Sequence, residues 1–330
     1  MNTVYVSQQG CYLSLKKELL IVKHGNNILE EVQMPLVEQI LIMGKSQITT
    51  QAIRACLIKN IPIVYLSRMG YCYGRTISIE RGYRYLSRYQ QLLDSNNKIT
   101  VAKAIVKAKL ANSRVILRRQ QQRKPSIDVS QALNILSYLM DKVSQALTIN
   151  QLMGYEGAGA SAYFSALGQC ITNPDFIFFG RSRRPPGNPV NALLSFGYQI
   201  LWNHLLVLIE LQGLDPYYGC LHQANERHPV LASDLVEEFR ASIIDSLVLY
   251  LVNKNIINSV DDFTFKHGGC YLNHSGRKKF LNVFIQRMEE LIDTGRETKQ
   301  PRWDLLTRQV RRYKNFVYHP VFGYQPYRIR

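Results

Sequence analysis

The spacing of apolar and polar positions divides the chain into two parts with different periods. Up to about residue 80 the apolar residues fall in short runs: Val4-Tyr5-Val6, Tyr12-Leu13-Ser14-Leu15, Leu19-Leu20-Ile21-Val22 and Leu36 to Ile42. Turn residues, notably Gly25-Asn26-Asn27, punctuate them. Short runs rich in β-branched and aromatic side chains between such turns predict strands. One helix interrupts the strands. It starts near Thr49, carries Ile53, Cys56 and Leu57 on one face, and stops at Asn60 with Pro62 just beyond. Ile63-Val64-Tyr65-Leu66 and Tyr71-Cys72-Tyr73 then resume the strands. The pattern predicts a β-rich, sandwich-like domain over residues 1–80.

From residue 81 the pattern turns helical, and 81–330 is expected to form a larger all-α domain, so the fold class is α+β. Asp128 to Leu152 reads as one amphipathic helix with Leu133, Ile135, Leu136, Leu139, Met140 and Val143 toward the core. Gly154-Tyr155-Glu156-Gly157-Ala158-Gly159-Ala160 reads as a link between two helices. Asn188 caps a helix whose first position is Pro189. Apolar on nearly every side through Leu208 and ended by Gly213, it is expected to be the buried central helix. Ser233 to Arg240 opens a further helix that runs on through Ile243, Leu247 and Leu251.

Charge changes what this architecture is for. The chain has 330 residues, 41 Lys and Arg against 24 Asp and Glu, and a formal charge of +17. A surplus of that size predicts a polyanionic partner, with nucleic acid ahead of an anionic membrane. The most apolar stretch, Ala192 to Leu211, is broken by Ser195, Gln199, Asn203, His204 and Glu210, which fits a buried helix and no membrane span. The N-terminus has neither a basic head nor an apolar run, so no signal peptide is read there. Six scattered cysteines without Cys-x-x-Cys fit a reducing cytosol, hence a cytoplasmic location. Thr100 to Lys124 carries eight cations, Lys109 among them, and no acid. It is either a solvated helix face or a face that tracks phosphates. The tail from Gln300 is either a stacking, phosphate-holding segment or a last helix that packs Trp303, Leu306 and Val310 and ends in an arm.

Several residues could carry chemistry. Glu156 sits among glycines that leave room for an ion or phosphate, although an acid in the first turn of a helix is the plainer account. Arg181, Arg183 and Arg184 precede Pro185-Pro186 in a stiff basic loop suited to phosphate oxygens. His222 follows the turn Asp215-Pro216. Asp234 and Glu237 lie three apart, so a helix turns both to one side, yet the same Asp-x-x-Glu spacing is also a capping pattern. One histidine and up to three carboxylates in a basic protein favour a Mg²⁺- or Mn²⁺-dependent phosphodiester reaction. Cys220, His222, His228, His267, Cys270 and His274 match no zinc finger or ribbon spacing.

Glu156 in its glycine-rich setting, Arg183-Arg184-Pro185-Pro186, Asn191 to Tyr198, Leu214-Asp215-Pro216, Leu221-His222 and Asp234 to Arg240 together resemble one family. It is that of the CRISPR-associated spacer-acquisition integrases (Cas one). The resemblance is strongest over about 150–245, and Gly276-Arg277-Lys278-Lys279 extends it. It implies an N-terminal β domain that dimerises and a helical catalytic domain. It implies Glu156, His222 and Glu237 as catalytic metal ligands, with Asp234 as a neighbouring acid that some members use. Arg181, Arg183, Arg184, Arg240, Arg277, Lys278 and Lys279 are then candidates for contact with double-stranded DNA. The implied reaction is strand transfer, in which the 3′-hydroxyl of a short duplex attacks a phosphodiester at a CRISPR repeat end. The implied assembly is a homodimer, two copies of which are bridged by the small partner Cas two. Asn188 stands where relatives often have aspartate, and Arg240 meets Ala241 where proline is usual. A non-catalytic DNA-binding scaffold and a branched-DNA repair nuclease are the competing readings.

Overall fold

The computed structural model describes residues 3–67, 72–79, 84–223, 228–293 and 299–329. Tyr71, Met1 and Asn2 lie outside the described residues, as do residues 80–83, where the sequence boundary falls. The chain divides into two compact units, residues 1–82 with 288–304, and residues 83–287 with 305–330.

The first unit holds β1 (Thr3–Val6), β2 (Cys11–Lys16), β3 (Leu19–His24), β4 (Asn27–Gln33), β5 (Gln39–Met43), β6 (Gln47–Ile48), α1 (Thr50–Ile58), β7 (Ile63–Leu66) and β8 (Cys72–Thr76). One sheet has the order β1-β5-β7-β8, parallel except for its last pair. The other has the order β4-β3-β2-β6, antiparallel except for β2–β6. Residues of both sheets and of α1 share one core, which includes Val4, Leu13, Leu20, Ile40, Cys56 and Ile63. This is the sandwich-like arrangement that the period-two runs predict. Thr49 caps α1 by accepting from the Ala52 amide at 3.1 Å, and Asn60, at φ 55°, turns the chain out of the helix.

The second unit is mainly helical: α2 (Arg84–Gln91), α3 (Ser95–Arg123), α4 (Ser130–Gln145), α5 (Ile149–Gln169), α6 (Pro189–Leu211), α7 (Val230–Val236) and α8 (Ser246–Asn253). A hairpin follows, β9 (Phe263–Lys266) with β10 (Gly269–Leu272), then α9 (His274–Glu289). The short pair β11 (Leu291–Ile292) and β12 (Gln300–Pro301) belongs to residues grouped with the first unit. Next comes α10 (Trp303–Tyr318). Helix α6 is the central buried helix. It is the one described helix long and apolar enough to cross a membrane, and 83% of its most apolar window is buried inside the protein. Asn188 caps it by accepting from the Asn191 amide at 2.9 Å.

Three local expectations are corrected. The glycine-rich stretch around Glu156 is no link; it lies inside α5. Residues 128–152 are not one helix, because α4 stops at Gln145 and a capping box of Thr148 and Gln151 starts α5 anew. Asp234 and Glu237 do not open a helix. The helix begins at Val230, behind Pro229, and a single π-helical turn over Arg240–Asp245 carries the chain into α8. In the tail, Leu306, Val310, Tyr313 and Tyr324 are buried, so the packed last helix and arm is the form taken. Buried rings of this kind have no face to offer a base.

Candidate active site

The site is assembled by α3, α5, the 220–222 turn, α7 and the chain that follows it. Helix α3 is not a solvated rod. Val101, Ala102, Ile105, Val106, Ile116 and Leu117 bury one stripe, and Lys109, Asn112 and Ser113 fall on the same stripe. Helix α5 comes against it at Gly159, where an added Cβ would collide with Leu110. This close approach sets Glu156 beside Lys109. The Lys109 ammonium donates to Glu156 Oε1 and lies 2.6 Å from Glu237 Oε2. Glu237 Oε1 in turn meets Arg240 Nη1 at 2.9 Å. Carboxylate, ammonium, carboxylate and guanidinium therefore alternate in a buried row, with Lys109 8% and Glu237 3% exposed.

Burial alone would raise the Glu237 pKa. Arg240, Lys109 and His222 outweigh that and hold it at about 2, so the carboxylate is ionised at any working pH. The Lys109 ammonium, 2.6 Å away, is the recorded partner of the buried Glu237 Oε2.

His222 is oriented by Asp234. The Asp234 carboxylate accepts from the backbone N–H groups of Cys220, Leu221 (3.0 Å) and His222 (3.0 Å), and Oδ1 lies 2.8 Å from His222 Nδ1. With Nδ1 as donor to Asp234, the Nε2 lone pair is left to point away from that carboxylate. Burial works to lower the imidazole pKa, but the bond to Asp234 and the charges of Asp234, Glu237 and Glu156 raise it. Both Asp234 oxygens are thus spent on the 220–222 turn. The notion that Asp234 and Glu237 face one common point gives way to two separate tasks.

Among the described residues, no three His, Cys, Asp or Glu side chains are gathered closely enough to hold a metal ion. The Lys109 ammonium lies between two of the three expected ligands, Glu156 and Glu237. The donor set still suits a hard divalent ion: two buried carboxylates and an imidazole locked by a carboxylate through its other nitrogen.

The expected DNA-contacting cations separate into two groups. Arg183, Arg184 and Lys278 are exposed. Arg181 is turned inward, donating to Asn191 Oδ1 (2.8 Å) and Ser195 Oγ (2.9 Å) and lying over the Tyr198 ring at 5.5 Å. Arg240 covers the same ring at 4.7 Å. Arg277 is buried and donates to the Leu272 carbonyl at 2.7 Å, and Lys279 pairs with Asp262 at 2.6 Å. Arg181 and Arg277 are held by neutral acceptors, and Arg240 by the Glu237 carboxylate and the Tyr198 ring face. Tyr198 and Tyr163 both donate to Asp245, whose carboxyl burial pushes up to about 6 despite those hydrogen bonds. Lys109 and Asp245 were not singled out by sequence. The signal for Lys109 was present in its place on the apolar stripe of α3.

Comparison with known proteins follows the same lines. Residues 4–286 match the family model described as CRISPR associated protein Cas1. A CRISPR-associated endonuclease Cas1 from Rhodospirillum rubrum is 32% identical over 88% of this chain and 87% of its own length. A Cas4/Cas1 exonuclease–endonuclease fusion from Geobacter sulfurreducens is 33% identical over 95% of this chain, which spans 60% of the fusion. Among solved structures, a Cas1 protein from Thermotoga maritima superposes with a TM-score of 0.82 at 26% identity, covering all of both chains.

Proposed function

The chain belongs to the CRISPR-associated Cas1 family, and on that premise we propose that it is a divalent-metal-dependent DNA endonuclease and integrase of CRISPR adaptation. In that reaction the 3′-hydroxyl of a short duplex attacks a phosphodiester at the end of a CRISPR repeat, forming a new phosphodiester and releasing the 3′-hydroxyl of the cut strand. The observation that carries this reading is the buried row Glu156, Lys109, Glu237 and Arg240 beside an imidazole that Asp234 holds in place. Burying so many charges is costly, and a chain needing only a DNA-binding surface has no use for it. Neither Asp234 nor Glu237 caps a helix N-terminus, which removes the main support for a scaffold with merely structural acids.

In this reading Glu156, Glu237 and the Nε2 of His222 hold Mg²⁺ or Mn²⁺. What such an ion supplies is polarisation of the phosphoryl group and stabilisation of charge on the attacking and leaving oxygens. Asp234 is a positioning residue that fixes the tautomer and direction of His222. Arg240 keeps Glu237 ionised and oriented, and Arg181, stacked over the same tyrosine, stiffens the loop that presents Arg183 and Arg184. Arg183, Arg184 and Lys278 hold DNA through phosphates, which admits any spacer sequence. The β-rich unit dimerises, two dimers are bridged by Cas two, and the protein works in the cytoplasm.

The test is a strand-transfer assay with a labelled short duplex, a supercoiled plasmid carrying a repeat array, and the Cas two partner. Label should join the plasmid only with Mn²⁺ present, and neither His222→Ala nor Glu237→Ala should support joining while both still shift DNA on a gel. Metal-independent binding with no joining by the wild type would instead make the protein a scaffold.

A further inference from the structure

Lys109 is the one member of the buried row to which the proposed reaction gives no task. It is also the best placed to interfere with it. Lysine is almost never fully buried unless paired, and here the pair is two carboxylates at once, Glu156 and Glu237. An ammonium and a divalent cation cannot both lie between the same two oxygens, because like charges a few ångströms apart in a poorly hydrated site repel strongly.

We propose that Lys109 is a built-in counter-ion that occupies the Glu156–Glu237 pair in the metal-free protein and must be displaced for a divalent cation to bind, so that it sets the metal affinity of the site. The proposal rests on the functional reading above, since it takes these carboxylates to be metal ligands. Three features of the structure support displacement rather than a permanent lock. Arg240 holds Glu237 through the other oxygen, Oε1, so that carboxylate keeps its orientation when the ammonium leaves. Glu237 Oε2 has the Lys109 ammonium at 2.6 Å as its one recorded partner, so no other contact of that oxygen has to break when the ammonium leaves. A cavity of about 20 Å³ has Lys109 and Asp245 in its lining, with Ser113 and Tyr198 beside the apolar Leu110 and Phe164. Space of that size holds a water molecule, and the Asp245 carboxyl in the same lining offers a displaced ammonium a second partner. A lysine stem has the rotatable bonds for such a swing, whereas an arginine fork would grip both carboxylates and stay.

The two substitutions therefore move metal affinity in opposite directions. Calorimetric titration of the full chain with Mn²⁺ should give a dissociation constant about ten-fold or more lower for Lys109→Met than for wild type, and a higher one for Lys109→Arg. Metal-free Lys109→Met should also melt below wild type, with Mn²⁺ closing the gap, because two ionised carboxylates are left with one guanidinium. Equal dissociation constants in all three proteins would overturn the inference and leave the metal site standing. If neither wild type nor Lys109→Met binds Mn²⁺, or if Glu156→Gln binds it as well as wild type does, the functional reading itself fails. Should metal-free Lys109→Met not fold, Lys109→Arg decides, and Mn²⁺ binding as tight as in wild type would sink the proposal.

Discussion

At the scale of single residues, Asp234 and Lys109 exchange the roles their sequence neighbourhoods suggest. An acid three positions from Glu237 reads as a second ligand, yet its oxygens are consumed by three backbone amides and the imidazole. A lysine in a run of eight cations reads as surface charge, yet it lies between two carboxylates. Side-chain direction decides both cases, and residue spacing reports only which side of a helix a residue is on. Asp234→Asn replaces one acceptor oxygen with an N–H₂ that must confront N–H donors. Strand transfer should fall about 10–100-fold while gel-shift affinity holds, as for other residues that orient a metal-binding histidine. An unchanged joining rate would show that His222 needs no such support.

At the scale of elements, α5 decides where Glu156 sits. Its glycines suggested a loop because glycine is poor in a helix interior, but each has a different surrounding. Gly159 is required by the approach of α3, where Leu110 occupies the place of a Cβ. Gly154 has nothing within 4 Å of that position. Gly159→Val should therefore destabilise the protein by about 1–3 kcal/mol through overpacking. Gly154→Ala should stabilise it by about 0.5–1 kcal/mol through helix propensity. Thermal or urea unfolding reads both, and a stabilising Gly159→Val would refute the close approach. The break between α4 and α5 was legible in principle, since Thr148 and Gln151 form a capping box. The amphipathic pattern running across it hid the signal.

At the scale of the whole molecule, two features set the response to solution conditions. The C-terminal arm is pinned to the residue after Glu237: Tyr324 and the Tyr327 amide donate to the Glu238 carboxylate, and Phe239 stacks on Tyr327 at 4.9 Å. Burial pushes the Glu238 carboxyl up to about 8 in spite of those donors. A folded-state pKa above the unfolded one means the fold favours the neutral acid. That contribution is complete below the ordinary carboxyl range and is lost as pH rises through about 8. The melting temperature should fall from about pH 4.5 to about 8 and level off above that, and Glu238→Gln, which resembles the neutral acid, should flatten the fall. The second feature is the charge of +17. If about 6–10 phosphates are contacted per complex, DNA affinity should drop by about 10³–10⁵ between 50 and 200 mM salt, whatever the spacer sequence. A flat salt profile would contradict phosphate-led binding.

By itself the sequence determined the α+β class, the short strand runs and the helix among them, the buried α6, and the family. These follow from periodicity, caps and contiguous motifs, which are local and survive in a one-dimensional pattern. It also supplied Glu156, His222 and Glu237 as the residues worth bringing together. Only the tertiary structure decided that Lys109 stands between two of them, that Asp234 serves the 220–222 turn, and that Arg181, Arg240 and Arg277 face inward. Those outcomes depend on which side chains meet in space, from Arg277 and Leu272, 5 residues apart, to Lys109 and Glu156, 47 apart. Burial and the direction of each side chain, rather than residue type, set what each charge can meet.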